Sequence, residues 1–84
     1  MGSKRFDGVL FQIYPRDHPP RHVHARYGDA IAILEIDDEG VVRLAKRKDA
    51  IMPPNAKASD IRKILNTALA NVEPLIELWE KMTL

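Results

Sequence analysis

The 84-residue chain has no cysteine. Disulfides and thiolate metal sites are therefore excluded, and the chain fits a reducing, cytoplasmic setting. It has four glycines, scattered at positions 2, 8, 28 and 40, so no glycine-rich phosphate loop can form. Aromatics make up 6% of the residues, and none is interleaved with the basic run Lys46-Arg47-Lys48, which weakens any base-stacking role for that run. No apolar stretch approaches the roughly 18 residues of a membrane span. The first twelve residues lack the apolar core of a secretory signal. No nucleophile stands out, since Ser3, Ser59, Thr67 and Thr83 fall in tail, cap and helix contexts. The balance of features leans away from an enzyme.

What is present is 45% hydrophobic and 30% charged residues in a chain of single-domain length. A chain this short buries only about 60–65% of its unfolded surface. A shallow site, or a homo-oligomer that borrows core from its partner, suits it better than a deep cavity. The net charge of +1 conceals blocks. Residues 29–40 carry five acidic and no basic groups, whereas residues 41–63 carry seven basic and two acidic groups.

Hydrophobic periodicity places strands first and a helix last. Residues 1–4 read as a loose start, and strands are expected at about 6–14, 22–27, 30–36 and 41–45. Gly28-Asp29 suits a two-residue hairpin loop. That loop sets a register in which Tyr27 faces Ala30, Ala25 faces Ala32 and Val23 faces Leu34. The other face then pairs Arg26 with Ile31, His24 with Ile33 and His22 with Glu35. Residues 46–58 read as an irregular connection. Ser59 or Asp60 can cap a helix over about 59–82, whose apolar stripe runs through Ile61, Leu65, Ala68, Val72, Leu75, Trp79 and Met82. The stripe keeps phase across Pro74, so one long helix kinked near Asn71–Pro74 is expected. The alternative is two helices, with Pro74 in the first turn of the second. The fold class is α+β: a small antiparallel β-meander of three to four strands with the C-terminal helix packed on one face.

All three histidines fall in Asp17-His18-Pro19-Pro20-Arg21-His22-Val23-His24. His22 and His24 are two apart on a predicted strand, so both imidazoles point to one face. With His18 in the preceding loop, Glu35 across from His22 and Asp17 nearby, they have the makings of a nitrogen–oxygen site for a divalent ion such as Zn or Ni. The plainer reading is a solvent-facing histidine ridge with Glu35 as an ion-pair partner. A third is general acid–base chemistry by His22 and His24. Arg21 and Arg26 could clamp a phosphate, and Arg43, Lys46, Arg47 and Lys48 could contact nucleic acid.

The residues Asp17, His18, Pro20, His22, His24, Tyr27 and Gly28, with Leu75, Leu78, Trp79 and Glu80 near the end, resemble the small bacterial family called domain of unknown function 4160. The resemblance covers almost the whole chain. Here Arg21 separates the prolines from the His-x-His pair, and the 46–58 connection is longer and more basic than in the family pattern. The resemblance implies no assigned chemistry. It implies a gene often placed beside that of a second small domain, hence a toxin–antitoxin-like or regulatory pair. Three expectations follow. The first is a cytoplasmic partner-binding module, engaging a second small protein encoded nearby or a second copy of itself. The second is a metal- or histidine-dependent phosphodiesterase acting on RNA. The third is a nucleic-acid-binding regulator.

Overall fold

The Asp7-Gly8 dipeptide turns the chain back on itself, with φ of 49° at Asp7 and 82° at Gly8. Two consecutive positive φ values define the hairpin turn whose twist matches paired strands. The expected single strand over 6–14 is therefore two: β1 (Gly2–Phe6) and β2 (Val9–Ile13), paired antiparallel with Phe6 against Val9. The computed structural model describes residues 2–15 and 18–83. The first residues are not a loose start. Gly2 is buried, and a Cβ there would lie 2.6 Å from the Met82 side chain and 2.9 Å from that of Leu78. Substituting Val for Gly8 should cost about 1–2 kcal/mol, because a β-branched side chain fits poorly at this φ. Urea unfolding would measure it.

The remaining strands are β3 (His22–Tyr27), β4 (Ala30–Ile36), β5 (Val42–Leu44) and the two-residue β6 (Ile51–Met52). The order β1-β2-β3-β4-β5 is a meander, antiparallel throughout. The β3–β4 register is the one the Gly28-Asp29 loop predicts, including His22 opposite Glu35 and His24 opposite Ile33. The connection after β5 is not wholly irregular, because β6 returns to β4. β5 pairs with residues 34–36 and β6 with residues 31–32 of the same strand. Ile33 lies between these pairings: its N–H donates to the Ala50 carbonyl (2.8 Å), and its carbonyl accepts from the Ala45 N–H (2.9 Å). Residues 46–49 loop outward from this cinch, with Ile33, Ala45 and Ala50 forming a small second core beneath them.

The helical layer is α1 (Ala58–Ala70) and α2 (Val72–Thr83). The two-helix alternative is the observed one. Asn71 interrupts the helix at φ −133°, its side-chain amide donating to the Thr67 carbonyl (2.8 Å). Pro74 then falls in the first turn of α2, where its missing N–H leaves no intrahelical bond unmade. Neither Ser59 nor Asp60 caps α1. Lys57 occupies that position without a side-chain bond, and Asp60 lies inside the first turn, where its charge suits the helix dipole. The hydrophobic phase survives the break because both helices pack on the same sheet, α1 over β3 to β5 and α2 over β1 to β3. Phe11, Ile13, Val23, Leu34, Ile64 and Leu75 fill the core between the layers. The class is α+β as expected, with more strands and a divided helix.

Candidate functional site

β3 alternates buried and half-buried residues. Val23 and Ala25 face the helices, so His24 alternates to the opposite face, while His22 is the first residue of the strand, at the end of the sheet. At the end of the sheet where β3 begins, His22 meets α2. Its Nδ1 lies 2.9 Å from the Pro20 carbonyl oxygen. A carbonyl only accepts, so Nδ1 carries the proton and Nε2 is the basic nitrogen of the neutral ring.

Four rings follow one another across this end of the sheet. Tyr14 meets His24 edge-on at 4.8 Å between centroids, His24 meets His22 at 5.6 Å, and His22 meets Trp79 at 5.4 Å. The sequence reading assigns Trp79 to the core alone. It is buried at 8% exposure and also touches a functional candidate. No local pattern could pair it with His22, since the contact depends on how α2 lies across the sheet. Tyr14 did carry a signal: it is two residues beyond Gln12, which pairs with His24, so strand alternation extends the histidine face to it.

The sequence-predicted site residues part company here. His22 and His24 come together. His18 is exposed in the preceding loop, and Asp17 lies outside the described residues. Glu35 is the cross-strand neighbour of His22. Among the described residues, however, no group of three or more histidines and carboxylates is placed to hold a metal ion.

Arg21 is occupied with the fold. Its Nε donates to the Ile36 carbonyl (3.1 Å), its Nη2 donates to that of Asp37, and its own carbonyl accepts from the Ile36 N–H. Arg26 is exposed on the sheet, between Leu10 and Ile31 in register.

Two of the four basic candidates after residue 40 also carry carboxylates. Arg43 pairs with Asp37 and Arg47 with Asp49, both at 2.5 Å. Lys46 and Lys48 remain exposed on the outward loop. The Arg47 hydrogen bond, foremost, and the Arg47 and His24 charges hold the Asp49 carboxyl below its ordinary value of 3.8.

Asp37 organises the β4–β5 turn. One carboxylate oxygen accepts from the N–H groups of Glu39 and Val41, both at 2.9 Å, and the other binds Arg43. The Val41 N–H bond leads in holding its carboxyl below 3.8, with the Glu39 bond and Arg43 adding to it. A depressed native pKa stabilises the fold above the unfolded value and is lost as pH falls through the native one. Asp37→Asn should therefore flatten the loss of stability below about pH 4 while leaving its slope near neutrality unchanged. Urea midpoints across the acid range would show it.

Beside His22 a surface cleft of about 470 Å³ is lined by Pro19, Pro20, Arg21, Ile36, Asp37, Asp38 and Trp79. Its apolar lining is Pro19, Pro20, Ile36 and Trp79, and Asp37 and Asp38 of the acidic turn line it as well.

The family model described as Domain of unknown function (DUF4160) matches residues 8–80. No curated protein and no solved structure matches the chain.

Proposed function

The chain belongs to the DUF4160 family, and from the surface described above we propose that it is a non-catalytic, cytoplasmic partner-binding component of a toxin–antitoxin-like or regulatory two-gene module. The observation that carries this reading is the cleft of Pro19, Pro20, Ile36 and Trp79, continuous with the ring row of Tyr14, His24 and His22. Aromatic side chains are enriched at protein interfaces, and exposed lysine is depleted there. The lysines of the basic run stand on the outward loop and not in this cleft.

A phosphodiesterase or a nucleic-acid binder has less support. Each needs cations gathered for phosphate, and Arg21, Arg43 and Arg47 already hold carbonyls or carboxylates, which leaves Arg26 on the sheet and Lys46 and Lys48 on the outward loop. The partner of this reading is the second small protein encoded nearby; self-association is the other arrangement. Co-expression with the neighbouring gene product, followed by light scattering on the purified material, tests it. A stoichiometric complex is expected. A protein that remains a lone monomer with the neighbour present would remove the reading.

A further inference from the structure

The pairing of His22 with His24 has chemistry of its own, independent of any protein partner. The two ring centroids are 5.6 Å apart, with planes at 67°. Two imidazoles bound to one tetrahedral ion, each through nitrogen at about 2.0–2.1 Å, have centroids about 5 Å apart. The observed centroid separation is close to that spacing.

The surroundings favour an ion here. His22 donates Nδ1–H to the Pro20 carbonyl, which leaves Nε2 as the nitrogen with the lone pair. Metal-binding histidines commonly make this outer bond to a backbone carbonyl; it fixes the tautomer and raises the basicity of the ligating nitrogen. Each ring also meets a second ring, His22 that of Trp79 and His24 that of Tyr14, which limits its rotamer freedom. Negative charge is at hand. Glu35 faces His22 across the strands.

We propose that His22 and His24 form a chelating pair for a divalent transition-metal ion of the copper, nickel and zinc class, with solvent completing the coordination. Imidazole ligands suit these three ions, and the stability order for a common ligand set peaks at copper. Among the described residues no third histidine or carboxylate joins the pair. The ion also competes with the contacts both rings already make. Both facts place the affinity in the micromolar range and not the nanomolar. The set is smaller than the His18, His22, His24 and Glu35 grouping that sequence spacing implies.

Trp79 supplies the readout. It is the only tryptophan, and its ring is 5.4 Å from that of His22. Titrating Cu²⁺ into protein purified without a histidine tag should quench its emission saturably, at one ion per chain. His22→Gln and His24→Gln should each raise the half-saturation concentration by about tenfold or more, whereas His18→Gln should leave it within about twofold. Quenching that never saturates, or a midpoint unmoved in both the His22 and His24 variants, overturns the proposal. Circular dichroism confirms that each variant folds. Should either fail to fold, Zn²⁺ titration of the unaltered protein decides by NMR. Joint shifts of the His22 and His24 ring signals are expected, and shifts of His18 alone, or none, overturn the proposal.

Discussion

Trp79→Ala should lower the unfolding free energy by about 3–5 kcal/mol, the range for truncating a buried large aromatic. Trp79 is 8% exposed, and it belongs to the core cluster that joins α2 to the sheet. An 84-residue domain has roughly 4–13 kcal/mol in total, so the substitution removes a large share. The loss has a second part, local to the site. His22 meets the Trp79 ring at a tilt and bonds to the Pro20 carbonyl, and Trp79 also lines the cleft with Pro19 and Pro20. Removing the indole opens one side of His22 and takes away part of the apolar lining of the cleft. Trp79→Phe separates the two parts. It keeps much of the buried area, so it should cost well under half as much stability, while it shortens the ring that reaches His22. Urea midpoints read the first part and the line width of the His22 ring signals reads the second. Equal stability losses in the two variants would show that indole area does not anchor α2.

The contrast between legible and hidden features follows interaction range. The β3–β4 hairpin was readable to the residue. Gly28 and Asp29 define a two-residue loop, and strand alternation then fixes every pair from Tyr27–Ala30 to His22–Glu35. The stripe through Ile61, Ala68, Leu75 and Trp79 was readable because its periodicity reflects a single apolar surface that both helices cover. Asp7-Gly8 was an available hairpin signal, yet the run from Phe6 to Tyr14 resembled one strand with a weak glycine. The positive φ at both turn positions is what divides it. β6 was hidden for a different reason. Ile51 and Met52 flank a proline pair, and their pairing with β4 depends on a loop cinched at Ile33. The site shows the same division. That His22 and His24 share a face is local alternation. The hold of Pro20 on His22 and the approach of Trp79 are tertiary, as is the diversion of Arg21, Arg43 and Arg47 into the fold's own bonds.

Phe11→Ala should cost about 3–5 kcal/mol, and its effect should reach the histidines although Phe11 touches neither. Phe11 is fully buried at the centre of β2, with Phe6 tilted against it at 6.2 Å between ring centroids. In register it faces Lys4 on β1 and Ala25 on β3. The residue next to it, Gln12, is the cross-strand partner of His24, and Tyr14 lies two further on. Truncating Phe11 leaves a cavity between small neighbours such as Ala25, which cannot expand to fill it. β2 is then held against β3 mainly by its backbone bonds, and the strand that carries Tyr14 to His24 loosens with it. Leu10→Ala is the control. Leu10 is half-buried on the opposite face of the same strand, so about 1 kcal/mol or less is expected there by its partial area. Urea unfolding measures both losses, and amide exchange of His24 reads the coupling. Faster His24 exchange in Phe11→Ala than its stability loss alone accounts for, with no such excess in Leu10→Ala, is the expected pattern. Identical behaviour in the two variants would mean that β3 holds the histidine face without help from the core beneath β2.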